Sequence, residues 1–251
     1  MPSGDFDYET HGHGYARVRR PDPRIAALIH DALGDARTVL NVGAGAGSYE
    51  PADRYVTAIE PSAAMRAQRP SSAVPAIDGT AEHLPFDDDT FDAVMATVTV
   101  HQWRDLDRGL AELRRVARGP VVLLTFDGDA LDRFWLAAYA PELIAAERRR
   151  YPPIASLAAA IGHSTEVVEV PVPIDCVDGF TEAFYARPES FLDDRVRAAQ
   201  SAWGFITPEA TQRAVAHLRQ DLTTGHWDQT YAAWRTQSHF YGSLRLITGH
   251  P

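Results

Sequence analysis

The sequence predicts an α/β fold, a mostly parallel sheet with helices on both faces, and three observations carry that prediction. Short apolar runs recur near 38–42, 55–59, 73–77, 92–97 and 120–126, separated by stretches of helical spacing. Alternation of this kind gives parallel strands joined by helical crossovers. The first run is followed at once by Gly43, Gly45 and Gly47, and the second ends on Glu60. Strand, glycine turn, helix start, strand and terminal carboxylate is the order of a nucleotide pocket. The third observation is length: 251 residues bury a large core and suit one α/β domain with a modest insertion.

The elements follow in order. Residues 1–22 are polar and aromatic, and a helix then starts with Asp22 as N-cap and Pro23 in the first turn. Ile25, Leu28, Ile29 and Leu33 share one of its faces, and Gly34 ends it. Val39, Leu40 and Val42 make a run suited to a buried parallel strand. Ser62 is placed to cap the helix after the second strand. Residues 104–126 read as a helix and a fifth strand, 131–150 as one helix rich in Leu and Ala, and 166–172 as a sixth strand. From 174 to 240 the rhythm breaks into helical, aromatic-rich sequence, including Phe180, Phe184, Tyr185, Trp203, Phe205, Trp227 and Trp234. One more strand is expected over 242–247.

Composition narrows the function. The net charge is -10, so the molecular field repels phosphate backbones and opposes a nucleic-acid substrate. All 24 basic residues other than histidine are arginine, which removes lysine as base or Schiff-base former. The single cysteine, Cys176, excludes an internal disulfide framework and a cysteine zinc cluster, and reads as a small core thiol. No apolar run approaches a membrane span and the amino terminus lacks a signal-peptide pattern, so a cytoplasmic protein without a membrane partner is expected.

The glycine spacing separates two ligand classes. A dinucleotide fingerprint is GxGxxG, whereas here the run is GAGAGS, with Ser48 where the last glycine would stand. This pattern resembles motif I of the class I S-adenosylmethionine-dependent methyltransferases. The resemblance continues through Glu60, Pro61, Ser62 and Met65 as EPSxxM, then through GTAEHLPF and the strand and loop that end at Trp103, and it covers roughly residues 37–126. It implies a Rossmann-like, seven-stranded, mostly parallel sheet whose antiparallel last strand follows a helical insertion over 174–240. That insertion is either a substrate lid over the strand ends or a helical subdomain with an ordinary aromatic core.

The resemblance also implies a site. Gly43, Ala44, Gly45 and Gly47 would pass the cofactor's methionine and ribose portions, and Glu60, followed by Pro61, would hold the ribose diol. Met65, Thr80, Ala81 and Glu82 would surround the adenine, with Thr80 standing where many relatives carry aspartate. Asn41 likewise replaces an aspartate near the amino-acid moiety, and Thr97 would offer its carbonyl to the ammonium. In the amino-terminal segment, residues 1–22, Tyr15 would cover the methionine chain and Arg19 would meet its carboxylate. His101 is the candidate catalytic base, since imidazole titrates near neutrality, and its alternative role is a pocket wall.

The activity implied is transfer of the methyl group of S-adenosylmethionine to a small-molecule acceptor, releasing S-adenosylhomocysteine, with no metal site. The aromatic density of 174–240 favours an acceptor with ring or apolar surface. Two rivals stand beside it. One is a protein that binds the cofactor without transferring its methyl or uses it for a rearrangement; the other is an NAD(P)-dependent oxidoreductase. The acceptor atom and the oligomeric state are not specified by the sequence.

Overall fold

The computed structural model describes residues 19–251. Helix α1, Pro23–Ala32, has the expected cap: the Asp22 carboxylate accepts from the Arg24 amide. The main sheet contains β1 (Thr38–Val42), β2 (Tyr55–Ile59), β3 (Ala76–Ile77), β4 (Ala93–Thr97), β5 (Val121–Phe126), β6 (Ser164–Glu169) and β9 (Leu244–His250). Its order is β3-β2-β1-β4-β5-β9-β6. The pairings β1–β2, β1–β4, β2–β3 and β4–β5 are parallel, and β9 runs antiparallel between β5 and β6. This is the seven-stranded, mostly parallel architecture expected. Reversal of strand order at β1 and β4 opens a crevice beyond their carboxyl ends, where ligands of such sheets bind.

The sixth strand, expected over 166–172, is Ser164–Glu169 and the last, expected over 242–247, is Leu244–His250; three further departures trace to proline. The strand expected over 73–77 pairs only at Ala76 and Ile77, since Pro75 has no amide to donate. The helix expected over 131–150 is broken into 3-10 turns at Gly128–Arg133 and Trp135–Ala138, followed by a helix at Pro141–Arg150. Proline at its start keeps Ala140 out of helical geometry, at φ -129° and ψ 61°. After Pro152 and Pro153 an unexpected helix, Ile154–Ile161, buries Leu157 and Ile161.

Between β6 and β9 the chain leaves the sheet through a small antiparallel ribbon. Its strands are β7 (Val172–Pro173) and β8 (His239–Phe240), with Val172 opposite Phe240. The insertion between them carries three helices, Asp194–Ala198, Pro208–Thr224 and His226–Tyr231. Neighbouring residues of the sheet point to opposite faces and feed two cores. Leu40, Val94, Leu123 and Ile247 pack with Leu110, Leu113, Leu157 and Ile161 on one face. Val39, Met95 and Val122 pack on the other with Ile25, Ile29 and the aromatic residues of the insertion. Trp227, Tyr185 and Phe191 are each fully buried there. The aromatic density of 174–240 is therefore mainly core, and the insertion closes one face of the sheet as well as reaching its rim.

Glu182 ties the insertion to the last strand. Its buried carboxylate accepts from the Ser243 amide at 3.0 Å and from the Ser243 hydroxyl at 2.9 Å. Burial pushes its pKa from 4.5 up to about 7, against the opposing pull of Ser243, Arg245 and Arg133. The folded state thus holds this proton more tightly than the unfolded state, and stability falls as pH rises through the window from 4.5 to 7. Urea denaturation at pH 5 and pH 8 should show a loss of up to roughly 3 kcal/mol that Glu182→Gln does not show. A wild-type loss that persists undiminished in the variant would remove Glu182 as its source.

Candidate active site

The first half of the site is built by the turn after β1. The Gly43 and Ala44 amides both donate to the Ile59 carbonyl at 2.9 Å, so the turn is fastened to the end of β2. Gly43 has a φ of +69°, and a Cβ there would lie 2.2 Å from the Thr99 hydroxyl; no side chain fits. Glu60 follows β2, only 6% exposed. One carboxylate oxygen accepts from the Gly45 amide at 2.8 Å and the other from the Ser62 amide at 2.8 Å. Burial raises its pKa, while those two amides and Arg66 and Arg69 act in the opposite sense. Ser62 caps the helix Ala63–Arg66 as expected, accepting from the Met65 amide.

These elements enclose a cavity of about 870 Å³ including its mouth. Of the residues singled out by the sequence, it brings together Arg19, Gly43, Ala44, Gly45, Glu60, Pro61, Met65, Thr80, Ala81, Glu82 and Thr97. Thr80 and the amides of Arg104 and Asp105 hydrogen-bond the Glu82 carboxylate and hold its pKa below the usual range despite burial. Thr99, Gln102 and Trp103 complete the wall. The Trp103 ring lies against Gly109, where a Cβ would approach it to 2.5 Å.

Two of the expected residues, Gly47 and Asn41, are placed otherwise, and a third, Tyr15, lies outside the described residues. Gly47 does not line the cavity; it faces Glu50 and Arg69 behind the turn. Asn41 is fully buried in β1 and does not line it either. Its amide nitrogen donates to Glu50 at 3.0 Å, and Glu50 in turn accepts twice from Arg69, at 2.8 and 2.7 Å. Arg69 also reaches the Gly45 carbonyl at 3.3 Å. An aspartate at 41 would set a second carboxylate against Glu50, so that neighbour accounts for the amide's nitrogen end, while its oxygen is buried without a partner among the described residues.

His101 lines a second cavity, of about 640 Å³ including its mouth, that adjoins the first through Arg19 and Val98. Phe126, Leu143 and Ile144 supply apolar wall, while Phe180, Thr181 and Gln200 come from the insertion. Of the insertion's aromatic residues named from the sequence, only Phe180 faces this space. The dividing residue, Val98, has a φ of +51°, a costly conformation for a β-branched side chain. Its amide still donates to Leu124 at 2.7 Å, so the strand ladder holds the bend in place.

The His101 ring packs on Tyr151 with centroids 4.7 Å apart, and its Nδ1 is buried without a partner. Burial, then the charges of Arg150 and Arg19, push its pKa well below 6.5, so the imidazole is neutral at pH 7. The insertion is held to the glycine turn by Asp178, which accepts from the Tyr49 hydroxyl at 2.7 Å and from Arg19 Nε at 2.6 Å. Asp178 and Gln200 had no sequence signal, because neither belongs to a motif and both reach the site from far along the chain.

A parallel sheet of this order, a glycine turn over its switch point and a carboxylate after β2 make up the Rossmann-like fold of the class I S-adenosylmethionine-dependent methyltransferases. Residues 40–124 match the family described as a methyltransferase domain. The chain is 34% identical over 125 residues to the malonyl-[acyl-carrier protein] O-methyltransferase of Geobacter sulfurreducens, across 45% of each chain. The enzyme of that name from Erwinia billingiae is 34% identical over 135 residues, across 50% of this chain and 53% of its own. The match thus spans about half the length of these curated relatives. A solved structure described as a methyltransferase from an antibiotic biosynthesis pathway of Anabaena variabilis superposes with a TM-score of 0.85 at 29% identity, covering 92% of this chain and 98% of its own.

The residues present fit S-adenosylmethionine: Gly43, Ala44 and Gly45 line the cavity with backbone and at most a methyl group, and Glu60 retains lone pairs beyond those used by the two amides. Glu60→Gln keeps the shape and removes the charge. It should weaken S-adenosylhomocysteine binding by about 1.5–3 kcal/mol, more than tenfold in Kd by calorimetry, with the fold retained. An unchanged Kd in a folded variant would remove Glu60 from the ribose position.

Proposed function

We propose that this protein transfers the methyl group of S-adenosylmethionine to the hydroxyl oxygen of a small molecule seated in the second cavity. The single observation that carries the reading is the adjacency of two cavities across Val98, one with a family cofactor floor and one containing an unpartnered imidazole nitrogen. The O-methyl activity in the names of the two relatives supports oxygen as the acceptor atom.

When bound, the cofactor supplies a methyl carbon already activated by its sulfonium. The protein's work is then alignment and control of one proton. In this reading Glu60 holds the ribose diol, and Thr80 and Ala81 meet the adenine edge with Met65 against its face. The Thr97 carbonyl takes the ammonium, and Arg19 brings charge to the carboxylate while keeping Asp178. Segment 174–240 acts as a cover that carries Phe180 and Gln200 to the acceptor and excludes water. A cytoplasmic setting belongs to the proposal, and the one buried thiol fits a reducing compartment.

His101 receives the acceptor's proton as the new bond to carbon forms. Its neutral form is the base, and burial beside Arg150 keeps it in that form far into the acid range.

Turnover to S-adenosylhomocysteine with a methylated acceptor, and calorimetric binding of S-adenosylhomocysteine but not NAD, test the reading at its base. His101→Ala should lower kcat about a hundredfold while leaving the S-adenosylhomocysteine Kd nearly unchanged. With the wild type, kcat/KM should stay level from pH 8 to pH 6. An unperturbed histidine base of pKa ~6.5 would keep only about a quarter of its activity at pH 6. A fall in rate centred near 6.5 that disappears in His101→Ala would contradict this account of His101.

A further inference from the structure

The second cavity has a polar pattern narrow enough to name a substrate class, on the reading that it holds the acceptor. Gln200 is 5% exposed, and its side-chain oxygen accepts from the Thr181 hydroxyl at 3.0 Å and from Trp203 Nε1 at 3.2 Å. An indole nitrogen can only donate, so Trp203 fixes which end of the amide is the oxygen, and the NH2 is the end that neither Trp203 nor Thr181 meets. That nitrogen is buried and has no partner. A buried donor without a partner costs free energy that a bound oxygen recovers.

The charged groups around the same space are already compensated. Glu147 pairs with Arg150 and accepts from the Tyr151 hydroxyl at 3.2 Å. Glu182 is taken by Ser243, and Arg19 by Asp178. A charged acceptor would be desolvated here without a dedicated counter-ion, whereas Phe126, Leu143, Ile144 and Phe180 offer apolar surface to an uncharged one. Among the described residues that line this space, His101 is the other with a buried nitrogen, Nδ1, that has no partner, and on this reading it meets the reacting hydroxyl.

We infer that the acceptor is an uncharged, ring-bearing hydroxy-carbonyl compound, whose carbonyl oxygen accepts from the Gln200 amide while its hydroxyl meets His101. Gln200 is thus the residue that determines specificity. Methyl transfer to the hydroxyl oxygen forms the ether bond, breaks the sulfur–carbon bond and leaves the hydroxyl proton on His101; the carbonyl is unchanged throughout.

The test compares three probes with methyl-labelled S-adenosylmethionine: 4-hydroxyacetophenone, 4-ethylphenol, which lacks only the carbonyl, and 4-hydroxybenzoate, which carries a charge. The wild type should methylate the ketone with a kcat/KM about tenfold or more above that of ethylphenol, and the benzoate least. Gln200→Glu keeps the oxygen that Trp203 and Thr181 require and replaces only the donor, so the ketone preference should collapse to about one or reverse. Gln200→Leu should also erase it, and S-adenosylhomocysteine affinity reports whether each variant is folded. Equal use of ketone and ethylphenol by the wild type, a preference for the benzoate, or a ketone preference that survives in Gln200→Glu would overturn the inference. So would failure of all three probes to be methylated or to bind in calorimetry with S-adenosylhomocysteine present. The proposed function fails separately, if the protein neither binds S-adenosylhomocysteine nor turns over any acceptor.

Discussion

One buried carboxylate, Asp178, joins the three parts of the chain on which the site depends. It is 3% exposed and receives the Tyr49 hydroxyl from the end of the glycine turn and Arg19 from the segment before α1. Asp178 itself lies in the insertion, 129 residues from Tyr49 in sequence. The charge is buried but has both an ion-pair partner and a hydrogen bond, which is the condition under which such a group is tolerated. Removing one partner would leave the other polar group uncompensated, so the junction holds as a unit. Arg19 consequently forms a wall of both cavities in a fixed position. Tyr49 at φ +65° is held in the left-handed region by the same contact and by its burial.

The second constraint is backbone strain at the wall between the cavities. Thr97 and Thr99 face the cofactor side, whereas Val98 lines both spaces. Reversal of the chain within one residue requires the unfavourable φ, and the continued β4–β5 hydrogen bond at Val98 supplies the restraint. A β-branched apolar residue therefore stands in the wall that the two cavities share. The acceptor side is closed by Phe180, Thr181 and Gln200, so the insertion both completes the core with Trp227 and Phe191 and shapes the pocket.

Legibility in the sequence followed the range of the interactions. The strands and the turn were readable because β1 to β5 are short apolar runs punctuated by glycine and proline, and Glu60, Met65, Thr80 and Thr97 lie within about twenty residues of such a landmark. Asn41 was misplaced because its neighbour Glu50, nine positions later, sets its role through a side-chain contact that spacing does not encode. The long helix assumed over 131–150 ignored Pro141, whose effect on the residue before it outweighed the helical apolar pattern. The aromatic residues of 174–240 were read as possible substrate contacts, yet large rings bury in a core as readily as they line a pocket, and sequence alone cannot separate the two. Asp178 and Gln200 were invisible because their significance lies entirely in partners brought together by the fold.

The central claim is that the two cavities form one reaction path across Val98. A crystal structure of the protein with S-adenosylhomocysteine bound tests it most directly. The account predicts the ribose on Glu60, the sulfur beside Thr97 and Val98, and the open side of that sulfur directed toward His101 and Gln200. A sulfur turned toward solvent or toward the Glu82 side, with Val98 sealing the second cavity from it, would contradict the account.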